Sequence, residues 1–298
     1  MDRGFEYRPG RFFTATYVAT WIPWLVAVHL ATRPGGPGSA MAFAYLGLLA
    51  PMAVTLFIIL RSGSQRLKVD FRNRFSPRRL RPLPVLLAIG VPVAAMYLAI
   101  GVSVLGGQSP AQFRASEDAD LGRMIAVAMI AAPIIEEISW RGYGVDSLRA
   151  RLGMLPATLV FGVLWSLWHL PLLFLPGTYQ HQVASTGNPL FIANFFVGAL
   201  PVAVIANWLY YRSERSILIG VVFHAAGNAS AELLSATQTT KCIATVVMAI
   251  VAIGLIVIDR PMFNAGLRNF VLDPVDASQA IVTSGVSKQP GSTPPSIV

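Results

Sequence analysis

The chain has 298 residues, of which 54% are hydrophobic and 12% charged, with a formal net charge of +9 and a mean hydropathy of +0.59. That balance lies outside the range of soluble domains and points to an integral membrane protein. The basic excess is read as topology and as contact with anionic lipid headgroups, so no nucleic-acid partner is expected.

A hydrocarbon core of about 30 Å needs about 20 apolar residues per helix, and stretches of that kind predict an all-α, polytopic membrane bundle of about eight transmembrane helices. They are long and do not alternate, which separates them from barrel strands. The first, near 12–32, is too long for a signal-peptide core and lacks a following cleavage pattern, so it is expected to be retained. His29 within it has no acidic or amide neighbour at helical spacing and is read as packed or interfacial. The second, near 40–60, leads into "RSGSQRLKVDFRNRFSPRRLRP", rich in arginine and poor in acid, which the positive-inside rule assigns to the cytoplasm.

The third stretch, near 83–105, is followed by the net acidic "QSPAQFRASEDAD". The fourth, near 121–140, runs into "IIEEISWR" and the basic "RGYGVDSLRARLGM". The fifth (155–175) and sixth (190–211) flank "PGTYQHQVASTGN", which has no Lys or Arg; "RSER" joins the sixth to the seventh (216–234), and the eighth (243–258) precedes "DRPMFNAGLR". This alternation places both termini in the cytoplasm. Residues 1–260 are assigned to the membrane domain and 261–298 to a largely disordered cytoplasmic tail rich in Ser, Thr, Pro and Gly. The only cysteine, Cys242, excludes a disulfide framework and a Cys-based metal site. No internal repeat suggests an inverted-repeat transporter.

Ionisable groups at membrane depth are costly and mark functional sites by default. The candidates are Glu136, Glu137 and Arg141 on the fourth stretch, His169 on the fifth, and His224 with Asn228 on the seventh. His181 falls in an outer loop and is given no role. Glu137 and Arg141 are four apart and share a helix face, with the glutamate on the favoured N-terminal side. Glu136 then lies about 100° round the helix and is read as the carboxylate without a local partner. His224 and Asn228 project together, and Trp165 lies one turn before His169. A carboxylate beside a neutral imidazole suits the activation of water, and a second imidazole with an amide suits an oxyanion. Polar groups that only bind helices together are the competing reading, and for Glu137 with Arg141 the structural role is preferred. Residue counting puts Glu136 about 8 Å and His224 about 12 Å from the inner face but His169 about 20 Å from it, unless helices tilt or start below the surface.

The motifs "EEISWR" at 136–141, "WSLWH" at 165–169 and "HAAGN" at 224–228, in that order on separate spans, resemble the CAAX protease and bacteriocin-processing (CPBP, or ABI) family of intramembrane proteases, which includes the type II CAAX prenyl endopeptidases. The resemblance covers roughly residues 120–235. It implies a helical bundle around a central polar cavity open to the cytoplasm or inner leaflet, in the cell membrane. It also implies Glu136 and His169 as activators of water, His224 and Asn228 as the oxyanion hole, and Glu137 and Arg141 as a brace. Trp165 stands where the family more usually has phenylalanine. The substrate implied is a membrane-associated protein or lipidated peptide, prenylated CaaX-type or otherwise, cut near its C-terminus. No cofactor is expected. The mechanistic alternative is a zinc triad of Glu136, His169 and His224, disfavoured because no HExxH spacing occurs and Asn228 is a poor zinc ligand. The functional alternative is a transporter or scaffold using the same polar cluster to bind a proton or ligand.

Overall fold

The computed structural model describes residues 5–116, 122 and 125–270. The tail beyond 270, residues 117–120 at the end of the acidic segment, and part of the start of the fourth predicted span lie outside the described residues. Among the described residues every regular element is helical, apart from an isolated bridge between Ala115 and Leu234.

The main helices are α1 (Pro9–Ala31), α2 (Pro37–Arg61), α3 (Gln65–Asn73), α4 (Pro82–Leu105), α5 (Ala132–Ser139), α6 (Val145–Arg149), α7 (Met154–Trp168), α8 (Tyr179–Ser185), α9 (Pro189–Arg212), α10 (Ile217–Glu232), α11 (Gln238–Ile258) and α12 (Arg260–Phe263). Several starts follow from local chemistry. Proline opens α1, α2, α4 and α9, where its fixed φ fits and its missing N–H is no loss. Side chains of Ser64, Asn188, Ser216 and Thr237 cap α3, α9, α10 and α11 by accepting backbone N–H bonds.

Six helical stretches are long and apolar enough to cross a membrane: Pro9–Ala31, Gly38–Arg61, Pro82–Leu105, Met154–Phe174, Pro189–Arg212 and Gln238–Ile258. Two of the eight predicted spans are built differently. The seventh is α10, a 16-residue helix, which can be short because α4, α5 and α9 pack around it. The fourth is a composite in which the π-helical segments Ile125–Ala131 and Trp140–Gly144 flank α5, and α6 continues the run to Arg149. From Glu136 to Arg149 nearly every side chain of this composite is buried. It is therefore the polar centre of the bundle and need not meet lipid.

Two contacts fix α5 laterally. Thr55 on α2 donates to Ser139 Oγ at 3.0 Å, and Ser139 donates to the Pro51 carbonyl at 3.0 Å. At the bundle end bearing the arginine-rich connection, buried Arg74 donates to the carbonyls of Arg141 (2.9 Å) and Gly142 (3.1 Å) and pairs with Asp146 at 2.8 Å. Arg215 bridges Asp146 and Asp70, reaching Asp70 at 2.7 Å, and the Tyr211 hydroxyl donates to Asp146 at 2.9 Å. This network ties α3, the composite helix and the α9–α10 turn into one layer. That turn holds Glu214 and Arg215 at φ 54° and 62°, in the left-handed region that costs a non-glycine residue strain.

Burial works against the charged form of Asp70, but the Arg74 and Arg215 guanidiniums beside it hold its carboxyl below the usual range. A carboxyl with a depressed folded pKa contributes stability above its unfolded value of about 3.9 and loses that contribution as pH falls through the folded value. Thermal unfolding in detergent is expected to be flat between about pH 7 and 5 and to fall below about pH 4, with a smaller acid-limb slope in Asp70→Asn than in wild type.

Candidate active site

The polar residues singled out by sequence converge on a cavity of about 720 Å³ lined, among others, by Glu136, Trp165, His169, His224 and Asn228. Three elements supply them: α5, the C-terminal end of α7 and α10. Glu136 is 4% exposed and Glu137 1%, so both carboxylates depend on donors from the protein.

The donors differ sharply. Glu137 Oε1 accepts from Arg141 Nη1 at 2.8 Å, as the four-residue spacing predicts, and also from His224 Nδ1 at 3.1 Å. Arg141 lies over the Phe161 ring, its guanidinium carbon 5.1 Å from the centroid. Gly220 makes room for this pair, since a Cβ there would sit 2.5 Å from Glu137 Oε2. Glu137 thus links the composite helix to α10 and orients an imidazole as well as bracing the helix.

Glu136 is not without a local partner. Its Oε2 accepts from the indole N–H of Trp140 at 3.1 Å, one turn on, and of Trp165 at 2.8 Å. Trp165 is therefore more than a backing wall, because phenylalanine could not make that bond. Trp165 also packs edge-on against His224, with ring centroids 5.5 Å apart. The His169 Nδ1 lies 2.9 Å from the Trp165 carbonyl. A carbonyl only accepts, so Nδ1 carries the proton and Nε2 holds the lone pair in the neutral ring. Packing against Trp168 and Phe195 fixes the ring plane.

The depth mismatch of the sequence reading disappears because the helix does not stop at 140. Glu136 lies 13 residues before Arg149 and His169 15 after Met154, about 20 and 22 Å along their helices. Helix α10 starts below the bundle end, with Ser216 and Ile217 fully buried, which accounts for the shorter count to His224. His29 is exposed near the end of α1, and His181 binds the Leu173 carbonyl at 3.0 Å.

Among the described residues no three His, Cys, Asp or Glu side chains are grouped to hold a metal ion, Glu136, His169 and His224 included. Sequence reasoning missed Trp140, whose signal was its place four residues after Glu136, and Gly220, which lies one turn before His224 on α10.

The cavity occupies one half of the bundle. Its walls include Ala31, Ala40, Pro176, Glu232 and Lys241, all at the end opposite the arginine-rich connection. Arginine-rich loops inside and a cavity open to the inside are therefore incompatible expectations in this architecture.

A family model described as type II CAAX prenyl endopeptidase Rce1-like matches residues 119–230, the segment carrying all three motifs. The chain is 34% identical over 270 residues to a CAAX prenyl protease 2 of Methanococcus maripaludis, an alignment spanning 88% of this chain and 98% of that protein.

The two glutamates should separate by stability. Removing one partner of a buried ion pair costs about 3–5 kcal/mol, so Glu137→Ala is expected to lower the unfolding midpoint in detergent markedly. Glu136→Gln keeps an oxygen for both indoles and should unfold near the wild-type temperature.

Proposed function

Because the chain belongs to the CAAX prenyl endopeptidase family, its activity is that of a membrane protease, and we propose that it hydrolyses a peptide bond near the C-terminus of a prenylated CaaX-type substrate with water activated by Glu136 and His169. The observation that carries this reading is the fixed Glu136 carboxylate, anchored through Oε2 by two indoles on the same cavity as His169, His224 and Asn228.

The two indoles occupy Oε2 and leave Oε1 to take a proton from water. His169 Nε2 accepts the water's second hydrogen and aims its oxygen. The water oxygen attacks the scissile carbonyl carbon, and the carbonyl oxygen gains negative charge. His224 Nε2–H and the Asn228 amide donate to that oxygen. An imidazole donates through both nitrogens only when protonated, and Glu137, 3.1 Å from Nδ1, supplies the counter-charge for that form. The tetrahedral intermediate collapses as the C–N bond breaks, and Glu136 returns its proton to the leaving amine. Groups that stabilise developing charge inside a water-poor cavity act strongly, each donor being worth about 10²–10³ in rate.

A CaaX substrate is presented from the cytoplasmic leaflet, so this function requires the cavity half of the bundle to face the cytoplasm. The arginine-rich connection then lies on the far side, against the usual bias of basic loops. The native Cys242, partly exposed near the start of α11, reports the orientation without engineering. A membrane-impermeant thiol reagent is expected to label it in inverted vesicles and not in intact cells. Labelling from outside would instead direct the search to substrates of the outer leaflet.

Purified protein is expected to cleave a prenylated CaaX peptide, with Glu136→Ala and His169→Ala each losing at least about 10²-fold in rate. The cleavage should survive a chelator, whereas loss of activity restored by zinc would replace this mechanism with a metal-based one. Equal activity in all three proteins would remove the protease assignment of the site, and loss only of solute accumulation in vesicles would favour transport.

A further inference from the structure

The feature with most chemistry left unused is at the far end of the cavity from the composite helix. Lys241 is the one Lys or Arg among the described residues that line the cavity. Its side chain is 12% exposed, and its ammonium lies 3.0 Å from Glu232 and 4.4 Å from the centroid of the Tyr179 ring. Tyr179 is held in turn by Gln238, 3.2 Å from its hydroxyl. A strongly hydrated ammonium is not brought into a largely apolar cavity without cost, and a structural tie to Glu232 alone does not require it to face the cavity.

Its position relative to the reacting groups is set by one helix. His224, Asn228 and Glu232 follow each other at four-residue intervals on α10, and all three line the cavity. At 1.5 Å per residue, Glu232 stands about 12 Å along the axis from His224 and about 6 Å from Asn228. Three residues of extended peptide span about 10 Å. A substrate whose scissile carbonyl rests against His224 and Asn228, with three residues beyond it running along α10, brings its terminal carboxylate to Lys241.

We propose that Lys241 is the specificity residue that binds the free C-terminal carboxylate of the substrate and so sets how far from the C-terminus the chain is cut. The proposal rests on the proteolytic reading above. An ammonium has three donors; Glu232 takes one and holds the group over the Tyr179 ring, and the substrate carboxylate takes another. Glu232 thus works as a positioning residue, keeping the ammonium at a fixed distance from the oxyanion donors. Longer substrates lose this charge-assisted bond because their carboxylate lies beyond its reach.

The test compares a prenylated CaaX peptide bearing a free carboxylate with the same peptide as a C-terminal amide, on the purified full-length protein. Wild type is expected to favour the acid by about tenfold or more in kcat/KM, expressed mainly in KM. Lys241→Met should bring the acid-to-amide ratio close to one, and Lys241→Arg should restore most of the preference. A merely structural lysine would lower both rates together and leave the ratio intact, which would overturn the proposal. Equal cleavage of acid and amide by wild type would overturn it without any variant, while leaving the protease reading in place. Failure of wild type to cleave either peptide would instead remove the protease reading and this inference with it.

Discussion

Two adjacent carboxylates inside a membrane bundle must each find donors, and neighbours on a helix cannot share them because they point about 100° apart. The protein answers with two unlike solutions. Glu137 receives a guanidinium and an imidazole, so its charge is matched by charge. Glu136 receives two indole N–H groups, which satisfy one oxygen without neutralising the carboxylate. Neutral donors hold the geometry of the Glu136 carboxylate without pairing it with a counter-charge. The arrangement of α5, α7 and α10 around the cavity follows from serving these two needs together.

Apart from the Lys241–Glu232 pair at the far end of the cavity, the remaining buried charge gathers at the opposite end of the bundle. Arg74, Arg215, Asp70 and Asp146 bind the connections of that end into a buried layer, and Arg74 holds the Arg141 and Gly142 carbonyls directly. Since Arg141 also braces Glu137, the layer and the cavity are joined through a single residue. Such a layer is a poor source of net stability, but it fixes the composite helix in rotation and depth and so fixes where Glu136 meets the cavity.

Much of this was legible in the sequence. The apolar stretches gave the all-helical membrane class, and the three short motifs named the residues that line the cavity. The Glu137–Arg141 pair followed from spacing alone. What could not be read were contacts between distant segments: His224 meets Glu137 across 87 positions, and no local rule signals it. Trp140 and Trp165 were visible as aromatics, but their use as N–H donors depends on where Glu136 points. Six of the eight stretches are long and apolar enough to cross a membrane; the fourth and seventh are wrapped by their neighbours, which apolar length alone does not reveal. The conflict over which end faces the cytoplasm arose because loop charge carries no information about where along the helices a cavity opens.

The π-helical turn at Trp140–Gly144 has one further consequence. A π turn holds about one residue more than an α turn at the same place, so it acts as a phase shifter between the halves of the composite helix. On one side the α geometry presents Glu136 to the cavity and Glu137 to Arg141 and His224; on the other, Asp146 faces Arg74 and Arg215. Delete one residue within the turn and a regular helix results, with one set of carboxylates rotated by about 100° away from its partners. The cavity-lining half and the anchoring half of this helix are thus kept in register by an irregularity, and the chain length between Glu137 and Asp146 matters as much to the arrangement as the side chains themselves.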